Sequence, residues 1–377
     1  MRKILIAPDK FKGTLSATEA AQAIASGWQA ARPDDELIQL PISDGGEGFG
    51  SLMANALNGT ETLIPAVDSF GQNRTGPLWL TPEGTALIES ANLIGLALIP
   101  QPQRAPLTLD SSGLGAALKS DALTHCQHCI IGIGGSATND AGFGAARKLG
   151  WQFSNETGQE IERWCDLTSL KTITKPKERP LWTDKLNSVT VAVDVQNPLL
   201  GPKGCTRVYG PQKGLEEEDL PRAEAALARL AEVWKSQTGE DAASLAGAGA
   251  AGGLGFGLHC FAGAKIRSGF EVFAEAVNLS EKLEGVDVVI TAEGAMDRQS
   301  IMGKGVGELA KLAQINDCRC LGLAGYLDQH SGLESHFDQC HALTEITSRS
   351  EAERNAAQWL EKLSTKTARN FNETEQR

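Results

Sequence analysis

Five short apolar runs in this chain end in loops that combine glycine with acids, lysines or hydroxyl side chains. The loops cover residues 8–13, 43–50, 134–140, 194–214 and 293–305. The 41 glycines are about one residue in nine, against a usual one in fourteen, and they are clustered. Glycine lets a backbone approach a ligand closely, and open α/β sheets bind ligands at the carboxyl ends of their strands. The pattern predicts an α/β protein with a glycine-rich binding site.

Two kinds of strand-forming segment are present. The first kind alternates with helical segments, as in a parallel sheet, and comprises residues 3–7, 36–41, 286–290, 321–324 and 342–346. The second kind predicts an antiparallel meander, because short turns join its members, residues 62–67, 75–81 and 85–90. A chain of 377 residues is too long for one compact core, so the meander is expected to begin a second domain.

Helix boundaries follow from local patterns. Ser16 and Glu19 have the spacing of a capping box, so a helix is expected to begin there and to end before Pro33. An acidic amphipathic helix is expected over residues 216–235. The polar C-terminus from about Lys366 is expected to fray.

Composition excludes several classes of partner. Asp and Glu number 47 against 35 Lys and Arg, and the net charge of −12 argues against nucleic-acid and anionic-membrane surfaces. No apolar run has the length of a membrane span, and the apolar run at residues 4–7 is too short for a signal peptide. The 8 scattered cysteines favour a reducing cytoplasm. A zinc site at Cys126 and Cys129 is a minor alternative, since a second ligand pair at suitable spacing is missing.

The run that ends at Ile133 passes at once into a turn of small and polar residues. This turn contains Gly134, Gly135, Ser136, Thr138, Asn139 and Asp140. If a helix begins near Asp140, the backbone N–H groups of the turn and the helix N-terminus form an anion site. Ordinary capping of a tight strand-to-helix connection is the alternative.

Charged residues accompany the other loops. Lys10 and Lys12 follow the first strand, and Asp44 is either a helix cap or a partner for Mg²⁺ or a hydroxyl. Asp194 and Asn197 follow the strand at residues 189–193 and lead into a glycine-rich basic loop over residues 201–214. Such loops suit phosphoryl transfer, in which backbone N–H groups and lysines hold phosphates and a carboxylate orients or deprotonates the attacking hydroxyl. The chain lacks the Walker motif of P-loop kinases.

Nine motifs together identify a family. They are PDKFKGTLSA at 8–17, SDGGEG at 43–48, GIGGSATNDAG at 132–142, DVQNPLLGP at 194–202, YGPQKG at 209–214, GAAGGLG at 249–255, AKIRSG at 264–269, AEG-x-x-D-x-Q at 292–299 and GKG at 303–305. In this order they resemble bacterial glycerate kinases of the first type, over nearly the whole chain. The resemblance implies ATP-dependent phosphorylation of D-glycerate, most simply at the 2-hydroxyl, with phosphorylation at the 3-hydroxyl left open.

The resemblance also implies a fold. A flavodoxin-like parallel-sheet domain would be built from residues 1–60 and 286–377, with a second α/β domain with a mixed sheet inserted as residues 61–285. The active cleft is then expected between the domains, and a homodimer is left open.

Roles follow as hypotheses. Asp194 is the predicted base for the glycerate hydroxyl, Arg267 the predicted partner of the glycerate carboxylate, and Asp44 and Asp297 the predicted Mg²⁺ ligands. The predicted substrate and phosphate site comprises Lys10, Lys12, Gly134, Gly135, Ser136, Thr138, Asn139, Asp140, Asn197, Arg267, Glu293 and Lys304.

One position departs from the family pattern. Ala295 stands where the family commonly has an arginine, so a charge clamp is not carried over, and Arg298 is the nearby substitute.

Two other functions were weighed. A dinucleotide-dependent hydroxy-acid oxidoreductase would use the glycines at 132 and 134, but no second strand ends in an acid about 20 residues further on. A sensor of sugar acids would not need so many glycine loops and acids.

Overall fold

The structure is a computed structural model that describes residues 1–177, 186–298, 300–301, 305–328 and 332–371. The chain divides into two compact units, Met1–Asp44 with Phe273–Arg377, and Gly45–Val272. The sequence places these divisions later, after residues 60 and 285. The segment after Asp44 belongs with the second unit because the Glu89 carboxylate accepts hydrogen bonds from the backbone N–H groups of Gly48 and Gly50, at 2.8 and 3.1 Å.

Within the described residues the strands are β1 (Lys3–Ile6), β2 (Glu36–Gln39), β3 (Thr60–Val67), β4 (Asn73–Leu80), β5 (Thr85–Glu89), β6 (His128–Gly132), β7 (Gln152–Asn155), β8 (Leu170–Thr174), β9 (Ser188–Val193), β10 (Lys265–Ser268), β11 (Val288–Met296), β12 (Arg319–Leu327) and β13 (Gln339–Ala342). The α-helices are α1 (Ala17–Ala31), α2 (Phe49–Ala56), α3 (Ala91–Ile94), α4 (Ser112–Leu118), α5 (Phe143–Lys148), α6 (Cys205–Lys213), α7 (Leu220–Thr238), α8 (Ala250–Ala262), α9 (Gly269–Ala276), α10 (Leu279–Leu283), α11 (Gly305–Ile315), α12 (Arg349–Arg354) and α13 (Ala356–Asn370). Every helix in this part of the chain is too short or too polar to cross a lipid bilayer.

The first unit contains a five-stranded sheet in the order β13-β12-β11-β1-β2, and each neighbouring pair is parallel. In chain order within this unit the arrangement is 2-1-3-4-5, which is the flavodoxin-like order. The predicted fold class is confirmed. The capping box is also present, since the Ser16 hydroxyl accepts from the Glu19 N–H and the Glu19 carboxylate accepts from the Ser16 N–H.

Three local expectations in this unit are wrong. Strand β11 continues through Met296, because Glu293 and Ala295 pair with Ala324 and Tyr326 of β12 in parallel register, so Glu293 lies within a strand and not in a loop. The last strand ends at Ala342, where the sequence predicts its start. The C-terminus does not fray at residue 366, since α13 extends to Asn370.

A buried aromatic residue explains why α13 extends to Asn370. Phe371 is fully buried against Trp28, with ring centroids 5.7 Å apart. The guanidinium group of Arg319 lies 4.6 Å from the centroid of the Phe371 ring, and that of Arg2 lies 5.0 Å from it. Apolar burial and cation–π contacts therefore stabilise a segment whose local sequence is polar.

The second unit contains a six-stranded sheet in the order β10-β9-β6-β5-β4-β3. Strands β3, β4 and β5 are antiparallel neighbours, which confirms the predicted meander, and β5, β6, β9 and β10 are parallel. A separate two-stranded antiparallel sheet joins β7 and β8. The core behind the main sheet includes edge-to-face contacts of Phe261 with Trp151, Phe153 and Trp234, at centroid distances of 5.2 to 5.5 Å.

Two expectations in this unit are corrected. The segment 201–214 is not one long loop, because residues Cys205–Lys213 form α6 despite containing Pro211. The zinc alternative needs further ligands beside the buried Cys126 and Cys129. Among the described residues no group of three His, Cys, Asp or Glu side chains is arranged to hold a metal ion.

Candidate active site

Three neighbouring parallel strands of the second unit end at one edge of its sheet. Gly132 of β6 is in register with Ala192 of β9, and Ala192 is in register with Arg267 of β10. The loop from Gly134, the exposed Asp194 and Arg267 therefore all lie at the carboxyl edge of these strands. Sheet topology, rather than sequence proximity, brings these predicted residues together.

The glycines of two loops at this edge serve close packing. A Cβ on Gly134 would lie 2.6 Å from the Cα of Gly46, and one on Gly45 would lie 3.0 Å from the carbonyl oxygen of Ala192. The N–H of Gly134 donates to the carbonyl of Gly45 at 3.3 Å. These glycines allow the loops 45–48 and 134–140 to contact each other directly. The sequence analysis considered only the close approach of a ligand to such glycines.

Asp140 anchors its loop from within. Its carboxylate is fully buried and accepts hydrogen bonds from the N–H and hydroxyl of Ser111 and from the N–H groups of Gly142 and Gly144. Burial raises the pKa of Asp140, the charge of Asp110 adds to the increase, and these hydrogen bonds oppose it. Helix α5 begins at Phe143, three residues later than Asp140. Asp140 thus holds the loop in place and is itself removed from solvent.

A buried lysine that the predicted site omits fixes the same loop. Lys213 at the end of α6 is 3% exposed, and its ammonium group donates to the carbonyl oxygen of Thr138 at 2.7 Å and to the Ser136 hydroxyl at 3.1 Å. Burial lowers the pKa of Lys213 from 10.5 to about 8, although Cys205 and Asp140 oppose the decrease. The only signal in the sequence is the motif YGPQKG, because a lysine between glycines does not reveal that it will be buried.

Polar atoms are concentrated around this lysine. The Asn139 amide donates to the Thr206 hydroxyl at 3.0 Å, and the Ser136 hydroxyl donates to the carbonyl of Ala251 at 2.9 Å. Both Thr138 and Asn139 are fully buried, and within the described chain Oγ1 of Thr138 and Oδ1 of Asn139 have no hydrogen-bond partner. Buried polar groups normally have partners, so this group has spare capacity to bind a polar molecule.

A left-handed turn closes the group on one side. Ala251, Gly252 and Gly253 have φ values of 55°, 72° and 86° inside α8. The N–H of Ala141 donates to the carbonyl of Gly252 at 3.0 Å. Residues 247–252 match the pattern G-x-G-x-x-G, but they lead into a distorted helix that packs on the 134–140 loop and do not form a dinucleotide fingerprint after a strand.

Asp194 and Asn197 lie beside Tyr209. The Tyr209 hydroxyl donates to Oδ1 of Asn197 at 2.8 Å, and the Asn197 amide donates to the carbonyl of Lys203 at 2.7 Å. Burial and, next, the charge of Asp194 raise the pKa of Tyr209. Arg267 is partly exposed, and its guanidinium nitrogen lies 3.9 Å from a carboxylate oxygen of Glu271. Asn197 is thus committed to shaping its loop, whereas Asp194 and Arg267 reach solvent.

The first unit holds the remaining predicted residues near the ends of its own strands. Asp9, which the predicted site omits, is buried just beyond β1, and its carboxylate accepts from the N–H of Lys10 at 2.7 Å. Burial raises the pKa of Asp9 from 3.8 to about 7, Asp44 adds to the increase, Lys10 opposes it, and Glu293 has a smaller raising effect. Three carboxylates therefore interact near the carboxyl ends of β1 and β11.

A cavity of about 350 Å³ opens at the same ends. Its lining includes the predicted residues Lys10, Lys12, Glu293 and Asp297. Ala295 also lines it, and the arginine in the lining is Arg349, not Arg298. The predicted Lys304 lies outside the described residues.

The carboxylates of the first unit suit Mg²⁺ if phosphate oxygens and waters complete its coordination. Mg²⁺ is usually bound through one or two carboxylates, with waters and substrate phosphates completing its octahedron. Asp297 lines the cavity, and Asp44 is close enough to Asp9 to raise its pKa. These acids suit a cation that arrives with a phosphate ligand, rather than one enclosed by the protein.

Comparison with known proteins establishes the family. The family model described as the glycerate kinase family matches residues 4–372. The chain belongs to the glycerate kinase family. It is therefore an enzyme, a phosphotransferase, as the motifs predict.

Relatives of known name span most of the chain. A glycerate 2-kinase from Escherichia coli K12 is 38% identical over 333 residues, which are 88% of this chain and 87% of that protein. A glycerate kinase from Halalkalibacterium halodurans is 37% identical, over 90% of this chain and 88% of that protein. A crystal structure described as glycerate kinase 2 from Salmonella typhimurium LT2 superposes with a TM-score of 0.82 at 34% identity, covering 97% of each chain. The chain thus shares its fold with this crystal structure over 97% of its length.

Proposed function

We propose that this enzyme transfers the γ-phosphoryl group of ATP to the 2-hydroxyl of D-glycerate and forms 2-phosphoglycerate. The observation that carries the proposal is the shared sheet edge of the second unit, where a carboxylate, a guanidinium group and a loop rich in N–H groups and hydroxyls lie together. The name of the Escherichia coli relative supports the 2-hydroxyl.

The roles follow from the chemistry of these groups. Arg267 pairs with the glycerate carboxylate, because a guanidinium group binds a carboxylate through two parallel hydrogen bonds. Asp194 accepts the proton of the 2-hydroxyl, and the glycerate oxygen then attacks the γ-phosphorus. The bond from the γ-phosphorus to the bridging oxygen breaks, and ADP leaves with that electron pair.

Other groups bind the substrates and offset their negative charge. The N–H groups of Gly135 and Ser136 bind anionic oxygens, Gly134 packs the loop against Gly45 and Gly46, and Thr138, Asn139 and Asp140 hold the loop in shape. Lys10, Lys12, Glu293 and Lys304 are assigned to substrate and phosphate binding. Asp44 and Asp297 would hold Mg²⁺, which offsets charge on the phosphates. A cytoplasmic location is proposed because all eight cysteines have free thiols.

The decisive assay couples ADP release to ATP, Mg²⁺ and D-glycerate, with the product examined by phosphorus NMR. We expect a signal of a phosphate ester on the secondary carbon. A signal on the primary carbon would transfer the reaction to the 3-hydroxyl, and no glycerate-dependent ADP release would refute the proposal.

Asp194→Asn tests the base. We expect kcat to fall by about 100-fold or more, because the amide cannot accept the hydroxyl proton. Asp194 is exposed, so folding is preserved, and the exposed Asp34 supplies a matched control in Asp34→Asn. A kcat near that of the parent enzyme would rule out Asp194.

Arg267→Lys tests the carboxylate partner. Lysine keeps the charge but loses the paired hydrogen bonds, so the KM for glycerate is expected to rise far more than the KM for ATP. Equal changes in both constants would contradict the assignment.

A further inference from the structure

The cavity of the first unit lies where the strand order of its sheet reverses. Strand β2 follows β1 in the chain and pairs on one side of it, whereas β11 pairs on the other side. Ligands of open α/β sheets bind outside the carboxyl ends of the strands at this switch point. The cavity is formed there by the segments that follow β1 and by the ends of β11 and β12, and its volume of about 350 Å³ lies in the range of small-molecule sites.

The lining of the cavity has two chemical characters. Its apolar part includes Phe11, Leu343, Ala352 and Ala356, all buried. Its charged part comprises the cations Lys10, Lys12 and Arg349 and the carboxylates Glu293, Asp297 and Glu353, of which Asp297 is a proposed Mg²⁺ ligand. A three-carbon hydroxy acid has no apolar face to place against the first part. A nucleotide has a flat base for the apolar part and phosphates for the cations.

Tyr326 is an exposed aromatic residue in the lining of the cavity. Its side chain is 46% exposed although it is large and apolar, and it lines the cavity. The guanidinium group of Arg349 lies over the Tyr326 ring, 5.9 Å from its centroid. Arg349 is held in turn by the Glu353 carboxylate, at 3.0 Å. A planar base can extend this stack of guanidinium group and ring.

Small residues leave space beside that ring. Ala295 of β11 is in register with Tyr326 of β12, so a methyl group is the nearest side chain on the adjacent strand. A Cβ on Gly325 would lie 2.5 Å from the carbonyl oxygen of Gly294. At this point both β11 and β12 therefore have glycine, and their backbones approach each other closely. The small side chains at Gly294, Ala295 and Gly325 therefore leave the space in front of Tyr326.

We propose that this cavity binds the nucleotide, with the base stacked on Tyr326 beside Arg349 and the phosphates near Lys10 and Lys12. The assignment rests on the proposed function, since it takes ATP as the phosphoryl donor. It leaves Arg267 of the second unit for glycerate.

Calorimetric binding of two probes to the full chain tests the assignment. The probes are a non-hydrolysable ATP analogue with Mg²⁺, and inorganic triphosphate with Mg²⁺, which lacks a base. Tyr326→Ala is expected to raise the Kd of the ATP analogue by about 10- to 100-fold, the loss of one base–aromatic stack, and to leave the Kd of triphosphate unchanged. Lys12→Met is expected to weaken both probes.

Two control variants separate stacking from general damage. Tyr326→Phe keeps the ring and should keep the affinity for the ATP analogue. Phe70→Ala removes an aromatic side chain of similar exposure, 43%, from the second unit and should change neither Kd.

The outcomes distinguish this inference from the proposed function. Unchanged binding of the ATP analogue by Tyr326→Ala, or equal weakening of both probes, would overturn the stacking role. A Tyr326→Ala variant that raises only the KM for glycerate would show that the cavity holds glycerate, which also overturns it. If the enzyme does not phosphorylate glycerate but Tyr326→Ala still weakens only the ATP analogue, the nucleotide site stands and the proposed function fails.

Discussion

Replacing Gly252 by alanine is expected to disrupt the 134–140 loop from outside it. Gly252 has a φ of +72°, and a Cβ added there would lie 2.0 Å from the carbonyl oxygen of Thr138 and 2.9 Å from the Lys213 ammonium nitrogen. Side chains do not approach a backbone oxygen so closely, so the Thr138 carbonyl must move. This movement breaks the 2.7 Å hydrogen bond that Lys213 donates to it.

The magnitude follows from two contributions. A left-handed alanine costs about 1–2 kcal/mol, because its Cβ approaches the following carbonyl oxygen. Loss of a buried hydrogen bond from a charged donor adds about 1.5–3 kcal/mol. The free energy of unfolding should therefore fall by roughly 2.5–5 kcal/mol, a large part of the stability of a typical domain.

Gly263 provides a matched control in the same helix region. It has a φ of +64°, and a Cβ there would have no atom of the described residues within 4 Å. Gly263→Ala should therefore cost only the backbone contribution of about 1–2 kcal/mol.

The assay is urea unfolding monitored by tryptophan fluorescence, which reports on the buried Trp151 and Trp234 of the second unit. Glycerate-dependent ADP release is then measured at low temperature, where both variants are folded. Equal destabilisation by the two substitutions would refute the crowding at Gly252. A folded Gly252→Ala variant with unchanged kcat and KM would show that the 134–140 loop does not belong to the site.

Two further predictions concern buried groups. The pKa of Lys213 is about 8 in the folded chain and 10.5 in an ordinary lysine. Between these two pH values Lys213 is protonated in the unfolded chain and largely neutral in the folded chain. The free energy of unfolding that this group contributes therefore increases with pH across that window. The free energy of unfolding of the parent minus that of Lys213→Met should thus rise by up to about 1.4 kcal/mol per pH unit from pH 8 upward, and parallel pH profiles of the two proteins would contradict the burial of the charge. Phe371→Ala should cost about 3–5 kcal/mol in chemical denaturation because it empties a fully buried site against Trp28, whereas Phe70→Ala, at an exposed position, should cost little, and equal costs would mean that Phe371 does not pack against Trp28.

Local patterns predicted the elements that depend on neighbouring residues. Ser16 and Glu19 are three residues apart, and a capping box needs nothing more distant. The short turns of the meander likewise force its strands to be antiparallel neighbours. The family motifs are runs of consecutive residues, and the resemblance that they carry predicted the flavodoxin-like domain whose strand order is observed.

Errors arose where distant residues decide. The length of β11 depends on pairing with β12, so glycine and acid at residues 293–294 wrongly predicted a loop. The extent of α13 depends on the packing of Phe371 against Trp28, more than 300 residues earlier in the chain. Gly45 and Gly134 allow the loops 45–48 and 134–140 to pack on each other, a contact between distant segments that the local sequence does not reveal.

The sequence by itself determined which chemical groups are available to the proposed site: a carboxylate at Asp194, a guanidinium group at Arg267, lysines at 10 and 12, and glycine-rich loops. The tertiary structure decided which of these lie at one sheet edge, that Asp140 and Lys213 are buried supports, and that Tyr326 and Arg349 line a cavity with Lys10 and Lys12. The physical reason is that burial and strand order are properties of contacts between distant segments. A lysine in a glycine-rich motif has the same local sequence whether it is solvated or enclosed, and only packing sets its charge and its partners.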